Sequence, residues 1–433
     1  MNNQEIIVVG GGAAGLMAAG RAAELGANVI LIEHMSAVGR KLAITGKGRC
    51  NITNVASLPE FLKHFHPQGR FLRSAFSKFF SEELIEFFES KNVKTVVERG
   101  GRVFPKSGKA LDVVEALREW VIEKGVSIRL NTKLEHVLTE DGSVTGASIY
   151  KVQRKKKKFS RQADSEEISC DALILTTGGA SYPATGSTGD GYKVCKKFGH
   201  QIIPPRPALV PLEVKGIDGE MLTNLSLKNI NLTVWVDGKK IDEAFGEMEF
   251  TDFGVSGPVV LTLSRNIVEL LHHQKSVTLN IDLKPALDHK KLDDRLIRDI
   301  QKNGKKQLKS LLKDILPRQL IPFCFQQLAL DPDKSGNDIK AVERKKLRNW
   351  LKEIPLQVVN HRPFSEAIIT SGGVSLKEVH PDTMQSRIVQ GLYLAGEILD
   401  IQADTGGYNL QAAFSTGWLA GEVAATFLSQ KRE

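Results

Sequence analysis

The chain opens on a pattern that few folds accommodate. Ile6, Ile7, Val8 and Val9 form an unbroken apolar run that passes directly into Gly10-Gly11-Gly12-Ala13-Ala14-Gly15. A stretch of small residues, Leu16 to Leu25, follows and is closed by Gly26; a second apolar run, Val29 to Ile32, ends at Glu33. The pattern predicts a buried parallel strand, a glycine turn, a helix and a second parallel strand. Glycines at 10, 12 and 15 permit a tight turn and close approach of the backbone to a pyrophosphate, and the helix behind them offers N–H groups and a positive dipole end to that anion. Glu33 lies 21 residues beyond Gly12, at a strand end where an acid accepts the ribose hydroxyls of an adenosine. An acid there favours FAD or NAD over NADP, whose 2′-phosphate it would repel.

Composition narrows the setting. The 433 residues are 41% hydrophobic and 25% charged, ordinary for a globular chain and long enough for several domains. No run approaches the ~20 apolar residues of a membrane span. Because Ile6 to Val9 reads as a strand, no signal peptide is expected. Cys50, Cys170, Cys195 and Cys324 lie far apart without CxxC spacing, so neither a disulfide framework nor a metal site is expected, and the reading is a reduced, cytoplasmic protein.

The net charge of +9 is local. Lys151 to Arg161 holds seven basic residues and no acid; Lys284 to Glu353 holds eighteen basic against ten acidic residues. Such segments can attract an anionic partner, RNA included. A solvated hairpin tip and solvated helices explain them more simply, and only Phe159 among the basic tip residues could stack on a base. Nucleic acid is therefore disfavoured as a partner, a membrane is not expected, and a small-molecule substrate is. Oligomeric state is not readable.

The texture changes twice along the chain. Helices are expected at 76–91 and 110–124, and strands at 126–130, 134–138, 144–152 and 171–177. Pro204, Pro205, Pro207 and Pro211 then exclude a helix. Leu232, Val234, Val236 and later Val277, Leu279, Ile281, Leu283 alternate with period two, as half-exposed antiparallel strands do. Past Pro285 the period becomes helical: Leu308, Leu311, Leu312, Ile315 and Leu316 share one face. The expectation is an α/β chain with a Rossmann-like FAD- or NAD-binding domain at 1–203 and 372–433, an inserted antiparallel β domain at 204–284 and 355–371, and a helical subdomain at 285–354.

Further motifs decide between the two dinucleotides. Gly39-Arg40-Lys41 and Thr45-Gly46-Lys47-Gly48-Arg49-Cys50-Asn51 form a glycine-rich basic loop that NAD does not require and that suits a longer cofactor. Thr176-Thr177-Gly178-Gly179 ends a sheet strand in small residues, which lets a cofactor pass close to the backbone. Gly391 to Glu397 reads as a strand ending in glycine and acid, and Gly406-Gly407-Tyr408-Asn409-Leu410-Gln411 leads into a last helix.

These fingerprints resemble the two-part FAD domain of glutathione-reductase-like flavoproteins. GKGRCNITN, TTGGASYPATGSTGDGY and GLYLAGEILDIQADTGGYNLQAAFSTG together resemble the bacterial BaiN/YhiN-like flavoproteins, described as NAD(P)/FAD-dependent or aminoacetone-oxidase-like oxidoreductases. The resemblance spans the whole chain and implies bound FAD and an inserted barrel-like domain. It puts Gly10, Gly12, Ala13, Ala14 and Gly15 on the pyrophosphate and Glu33 on the adenosine ribose. Arg40, Lys41, Thr45, Gly46, Gly48, Arg49, Cys50 and Asn51 would line the pyrophosphate and ribityl chain, with Leu134 over the adenine. Thr177, Gly178 and Gly179 would flank the cofactor, Gly396 and Glu397 would hold its ribityl-phosphate end, and Gly407, Tyr408, Asn409 and Leu410 would meet the isoalloxazine. A helix N-terminus at that ring stabilises the negative charge of the reduced flavin.

No second GxGxxG unit with its acid exists, so a dedicated NAD(P) domain is not expected; NAD(P)H would be a transient electron donor at the flavin face. The catalytic candidates are two. Tyr182 follows the TTGG strand, with packing as the alternative. Arg362 could clamp an anionic substrate, with a structural ion pair as the simpler reading. Cys50, lacking a partner thiol, reads as a packing residue. The expected activity is FAD-dependent hydride transfer between flavin N5 and a small organic substrate or NAD(P)H. The alternatives are an RNA-associated flavoenzyme and a flavin-bound sensor without turnover.

Overall fold

The computed structural model describes residues 5–155, 158–162, 164–215 and 219–430; Lys156 and Lys157 of the basic tip lie outside them. The chain divides into two compact units, Met1–Pro207 with Ile368–Glu433, and Ala208–Ala367.

The first unit is built on a five-stranded parallel sheet in the order Leu392–Leu394, Ala172–Leu175, Glu5–Val9, Asn28–Ile32, Ser127–Arg129. Ile6, Ile7 and Val8 are wholly inaccessible, as a central parallel strand covered on both faces requires. The fingerprint helix, Ala13–Glu24, packs against the C-terminal helix, Tyr408–Gln430. Small residues allow that contact: a Cβ on Gly417 or Gly421 would lie 2.3 Å from the carbonyl oxygen of Ala14 or Ala18. The two ends of the chain are thereby fixed together at the start of the fingerprint helix.

The amphipathic pattern over 76–91 is split into two helices, Arg73–Lys78 and Ser81–Ser90. Phe79 between them is extended, its ring stacks on Trp418 at 4.2 Å, and its carbonyl accepts the hydroxyl of Ser415 at 2.6 Å. A tertiary contact thus outweighs the local helical period.

The second unit contains a closed six-stranded antiparallel barrel of Leu212–Lys215, Gly254–Ser256, Lys239–Phe250, Ser226–Val236, Val277–Asp282 and Ile354–His361. Its register opposes Leu232 to Ile281, Val234 to Leu279 and Leu279 to Leu356, so the alternating apolar residues meet inside. The helices His289–Asn303, Leu320–Leu328 and Ala341–Lys352 share one apolar core with the barrel through Leu292, Phe323, Leu347 and Leu351. Among the described residues no helix is long and apolar enough to cross a membrane.

Candidate active site

The glycine turn sits where strand Glu5–Val9 ends. Thr176 closes it from the neighbouring strand, its hydroxyl donating to the carbonyls of Val9 and Gly10 at 2.9 Å. Gly10 has φ +105°, and a Cβ on Gly15 would lie 1.8 Å from the Gly10 carbonyl oxygen, so both glycines are dictated by the fold. Gly12 differs: a Cβ there meets nothing within 4 Å. The backbone at the helix N-terminus therefore faces open space, and no side chain caps the helix.

Glu33 is 8% exposed. Its carboxylate accepts the Gly11 amide at 2.8 Å and the Met35 amide at 2.7 Å. These bonds aim the carboxylate and leave its other lone pairs for a further donor. His34 lies 3.3 Å from the same carboxylate; burial holds its pKa below the ordinary value against the opposing pull of Glu33. The backbone from Asn131 to Thr132 is hydrogen-bonded along Glu33 and Met35, so the strand carrying Leu134 starts beside this acid. The Gly186–Gly191 loop packs on the same turn, with Gly186 against His34 and Met35 and Gly191 against Thr177.

Lys41 donates to Ser181 Oγ at 2.5 Å and to Glu397 at 2.6 Å. The other oxygen of Glu397 accepts the Ser181 hydroxyl at 2.9 Å and the Thr370 amide at 2.8 Å. Gly178 and Gly179 stand over this network, with Glu397 within 4 Å of a Cβ at either. Gly396 stands on Ala14 and donates its amide to Thr416 of the C-terminal helix at 3.0 Å. Thus Lys41, Thr177–Gly179 and Gly396–Glu397, far apart in sequence, meet around the start of the fingerprint helix.

The basic loop is an unusual turn. Gly46, Lys47 and Gly48 are consecutively left-handed, and Cys50 has φ +57°. The Thr45 hydroxyl bonds back to the carbonyl of Leu42. Arg49 is directed to Glu98 and stacks over Phe104 at 4.3 Å. The Cys50 thiol is wholly buried, and burial pushes it up to about 12. Asn51 to Asn54 then runs under the C-terminal helix: Thr53 Oγ1 donates to Gln411 at 2.5 Å, and Asn54 donates to the carbonyl of Gly406 at 3.2 Å. A Cβ on Gly407 would lie 2.3 Å from the Thr53 carbonyl oxygen.

Among the residues expected to line the cofactor, the buried Arg40 Nε, Asn51 Oδ1 and Thr177 Oγ1 have no hydrogen-bond partner among the described residues, and neither has the Tyr192 hydroxyl at the end of the TTGG motif. Orphaned buried polar atoms are costly, and each of these calls for a polar partner. At the C-terminal helix the Asn409 side chain is fully engaged, accepting from the Ala403 amide and donating to the carbonyls of Ala403 and Asp404. Tyr408 is buried with its ring stacked on His64 at 4.1 Å, and Leu410 packs on the core.

The two catalytic candidates differ. Tyr182 is left-handed (φ +50°), half-buried, and follows Ser181 of the Lys41–Glu397 network. Arg362 belongs to the second unit, where it donates to Glu366 and Glu213 and stacks over Phe253 at 4.3 Å. Its guanidinium is spent within the barrel, the structural ion pair weighed against the substrate clamp. A cleft of about 450 Å³ lined by Lys91, Lys94, Lys106, Asp112 and Glu115 shares no residue with the motifs.

His64, His66, Gln402 and Asp404 are the polar residues that sequence reasoning missed. Phe65–His66 pairs antiparallel with Gln402–Ala403, and His64 Nδ1 lies 2.9 Å from Asp404 Oδ2. The pairing joins segments 340 positions apart. A weak signal existed in the His-x-His spacing and in an acid just ahead of Gly406-Gly407.

The profile of the HI0933-like protein Rossmann domain matches residues 4–423. A 3-dehydro-bile acid delta(4,6)-reductase of Clostridium scindens is 31% identical over 96% of this chain and 98% of its own. A ribosomal RNA dihydrouridine synthase of Haemophilus influenzae is 30% identical over 96% of both chains. Among solved structures, the 3-ketosteroid delta1-dehydrogenase of Sterolibacterium denitrificans aligns with a TM-score of 0.51 at 15% identity, over 99% of this chain and all of that one, a likeness of fold alone. The chain belongs to the HI0933-like family of FAD-binding Rossmann flavoproteins and is an FAD-dependent oxidoreductase.

Proposed function

We propose that this member of the HI0933-like family is an FAD-dependent reductase of a carbon–carbon double bond conjugated to a carbonyl in a small organic molecule. The observations that carry the cofactor half are the orphaned atoms Arg40 Nε, Asn51 Oδ1 and Thr177 Oγ1 on three of the fingerprint segments, and the open backbone at Gly12 on a fourth. A diphosphate with a polyhydroxyl chain has the acceptors and donors those atoms lack. Gly12, Ala13 and Ala14 would take the pyrophosphate at the helix N-terminus, Glu33 the ribose, and Leu134 the adenine face. Lys41 and Glu397, holding each other, would present Ser181 and the Gly178–Gly179 backbone to the ribityl end. The N-terminus of the helix at Tyr408 would face the ring and favour negative charge there. When bound, FAD supplies a hydride equivalent to the substrate carbon.

The substrate half rests on chemistry that two relatives' names have in common. A delta(4,6)-reductase of a 3-oxo bile acid and a dihydrouridine synthase both saturate a double bond conjugated to a carbonyl. NADH or NADPH would be the donor, visiting the flavin face, since no second dinucleotide fingerprint exists. A second reading, uridine in RNA as the substrate, is supported by the two rRNA dihydrouridine synthases among the relatives and by the basic surplus of Lys284–Glu353.

The test is anaerobic mixing of the purified yellow protein with NADH and, separately, NADPH. Bleaching of the flavin band by one of them is expected. Bleaching by neither would remove the nicotinamide donor and turn the reading toward a substrate-fed dehydrogenase or a sensor.

A further inference from the structure

Saturating a conjugated double bond needs a proton as well as a hydride, and the Arg362 guanidinium is already held by Glu366 and Glu213. The short ladder of Phe65–His66 on Gln402–Ala403 has two unlike faces. Phe65 and Ala403, directly opposed, are buried in the apolar core. Because strand side chains alternate, His64, His66, Gln402 and Asp404 share the other face. Asp404 lies between the two histidines, 2.9 Å from His64 Nδ1 and 3.9 Å from His66 Nε2. All three side chains keep contact with solvent, at 28–31% exposure. Gln402 is 6% exposed; its amide donates to Ser371 at 3.0 Å while its buried Oε1 has no partner among the described residues. Gln402 thus brings an unmet buried acceptor to the face that carries two histidines and an acid.

The face is also held rigidly. The His64 ring stacks on Tyr408 at 4.1 Å, and Asn409 clasps the backbone of Ala403 and Asp404. Both anchors lie at the start of the helix that the preceding reading assigns to the flavin ring.

We propose that His64, oriented by Asp404, delivers the proton of the reduction, and that Gln402 Oε1 accepts a hydrogen bond from the bound ligand. This rests on the reductase reading above. The carboxylate at Nδ1 fixes the ring and leaves Nε2 to exchange protons. The hydride, from FAD previously reduced by a nicotinamide dinucleotide, bonds at the carbon β to the carbonyl, and the π pair shifts to the α-carbon. The His64 Nε2–H bond breaks as a C–H bond forms at that α-carbon, and water returns a proton to the ring. The substrate gains two electrons and two hydrogen nuclei, and the cofactor loses a hydride. Asp404, which acts through His64, is a positioning residue.

The experiment uses the full flavin-containing protein and its Asp404→Asn, His64→Gln and Gln402→Leu variants. Each is reduced with one equivalent of dithionite without air. It is then mixed with 4-androstene-3,17-dione, with a uridine-containing RNA fragment, or with ferricyanide, which takes electrons without protonating carbon. Equilibrium dialysis of the steroid and the RNA against the oxidised proteins gives affinity independently of turnover. Asp404→Asn and His64→Gln should slow reoxidation by the carbonyl acceptor about a hundredfold or more, with the ferricyanide rate and ligand affinity nearly unchanged. Gln402→Leu should weaken affinity instead. Carbonyl and ferricyanide rates that both stay at the wild-type level, or that fall together, would overturn the proposal while leaving the reductase reading intact. A wild-type protein that neither carbonyl acceptor reoxidises would overturn the reductase reading, and the proposal with it. Should His64→Gln not retain flavin, the near-isosteric Asp404→Asn decides alone.

Discussion

Lys41 Nζ lies 2.6 Å from the carboxylate of Glu397, a partner 356 positions further along the chain. The pair fastens the basic loop after the second strand to the last sheet strand. Ser181 bonds to both partners, and the Thr370 amide bonds to Glu397. Three segments of one unit therefore converge on the carboxylate of a fourth.

Lys41→Met should leave Glu397 with its hydroxyl and amide donors but without a counter-charge. Both side chains are about one-fifth exposed, so the cost is expected at about 1–3 kcal/mol rather than the larger value of a fully buried pair. Thermal melting should fall by several degrees, and flavin content with it. An unchanged melting point and full flavin content would show the pair to be dispensable.

Gly12 and Gly15 should separate folding from cofactor binding. A Cβ at Gly12 meets nothing within 4 Å, whereas one at Gly15 would lie 1.8 Å from a backbone oxygen. Gly12→Glu should purify folded and colourless, because a carboxylate then occupies the place of an anion. Gly15→Ala should not accumulate as folded protein. Absorbance and melting curves of the two variants read both effects; a Gly12→Glu protein with full flavin content would contradict the placement of the pyrophosphate.

The four thiols should make stability fall in alkali. Burial pushes Cys50, Cys170, Cys195 and Cys324 each up to about 12, against ~8.5 in an unfolded chain. A raised acid keeps its proton better in the fold, so the contribution is whole below about pH 8.5 and is lost as pH climbs toward 12. Urea midpoints should drop between pH 8 and pH 10, and iodoacetamide should label the native protein far more slowly than the unfolded one. Rapid native labelling would refute the packing role of Cys50.

Arg362→Ala should act on the barrel and not on the cofactor. The guanidinium is divided between Glu366 and Glu213 and covers Phe253. Its removal leaves two carboxylates unneutralised, at an expected cost of about 1–3 kcal/mol. Differential scanning calorimetry should show the loss, while flavin content stays at the wild-type level. A flavin-free or catalytically dead but fully stable variant would return Arg362 to the substrate.

The parallel sheet and its fingerprint were legible because their signals are local: Ile6 to Val9 is apolar throughout, and Gly10, Gly12 and Gly15 are spaced along one turn. The barrel was legible as alternation, since Leu232, Val234, Leu279 and Ile281 keep period two, although closure of the barrel depends on partners that alternation does not name. The helix expected over 76–91 failed at Phe79 because Ser415 takes its carbonyl and Trp418 its ring, contacts made more than 300 positions away. The same distance hid the pairing of His64 with Asp404 and of Lys41 with Glu397. A sequence lists such residues without indicating which of them meet.

The most direct measurement follows the flavin band through both halves of the reaction in one anaerobic experiment. The protein is bleached with its preferred nicotinamide nucleotide or with dithionite. It is then mixed with 4-androstene-3,17-dione or a uridine-containing RNA fragment, and the product is weighed by mass spectrometry. The expected result is return of the oxidised band together with a product heavier by two hydrogen atoms. A flavin that stays bleached, or an acceptor recovered unchanged in mass, would contradict it.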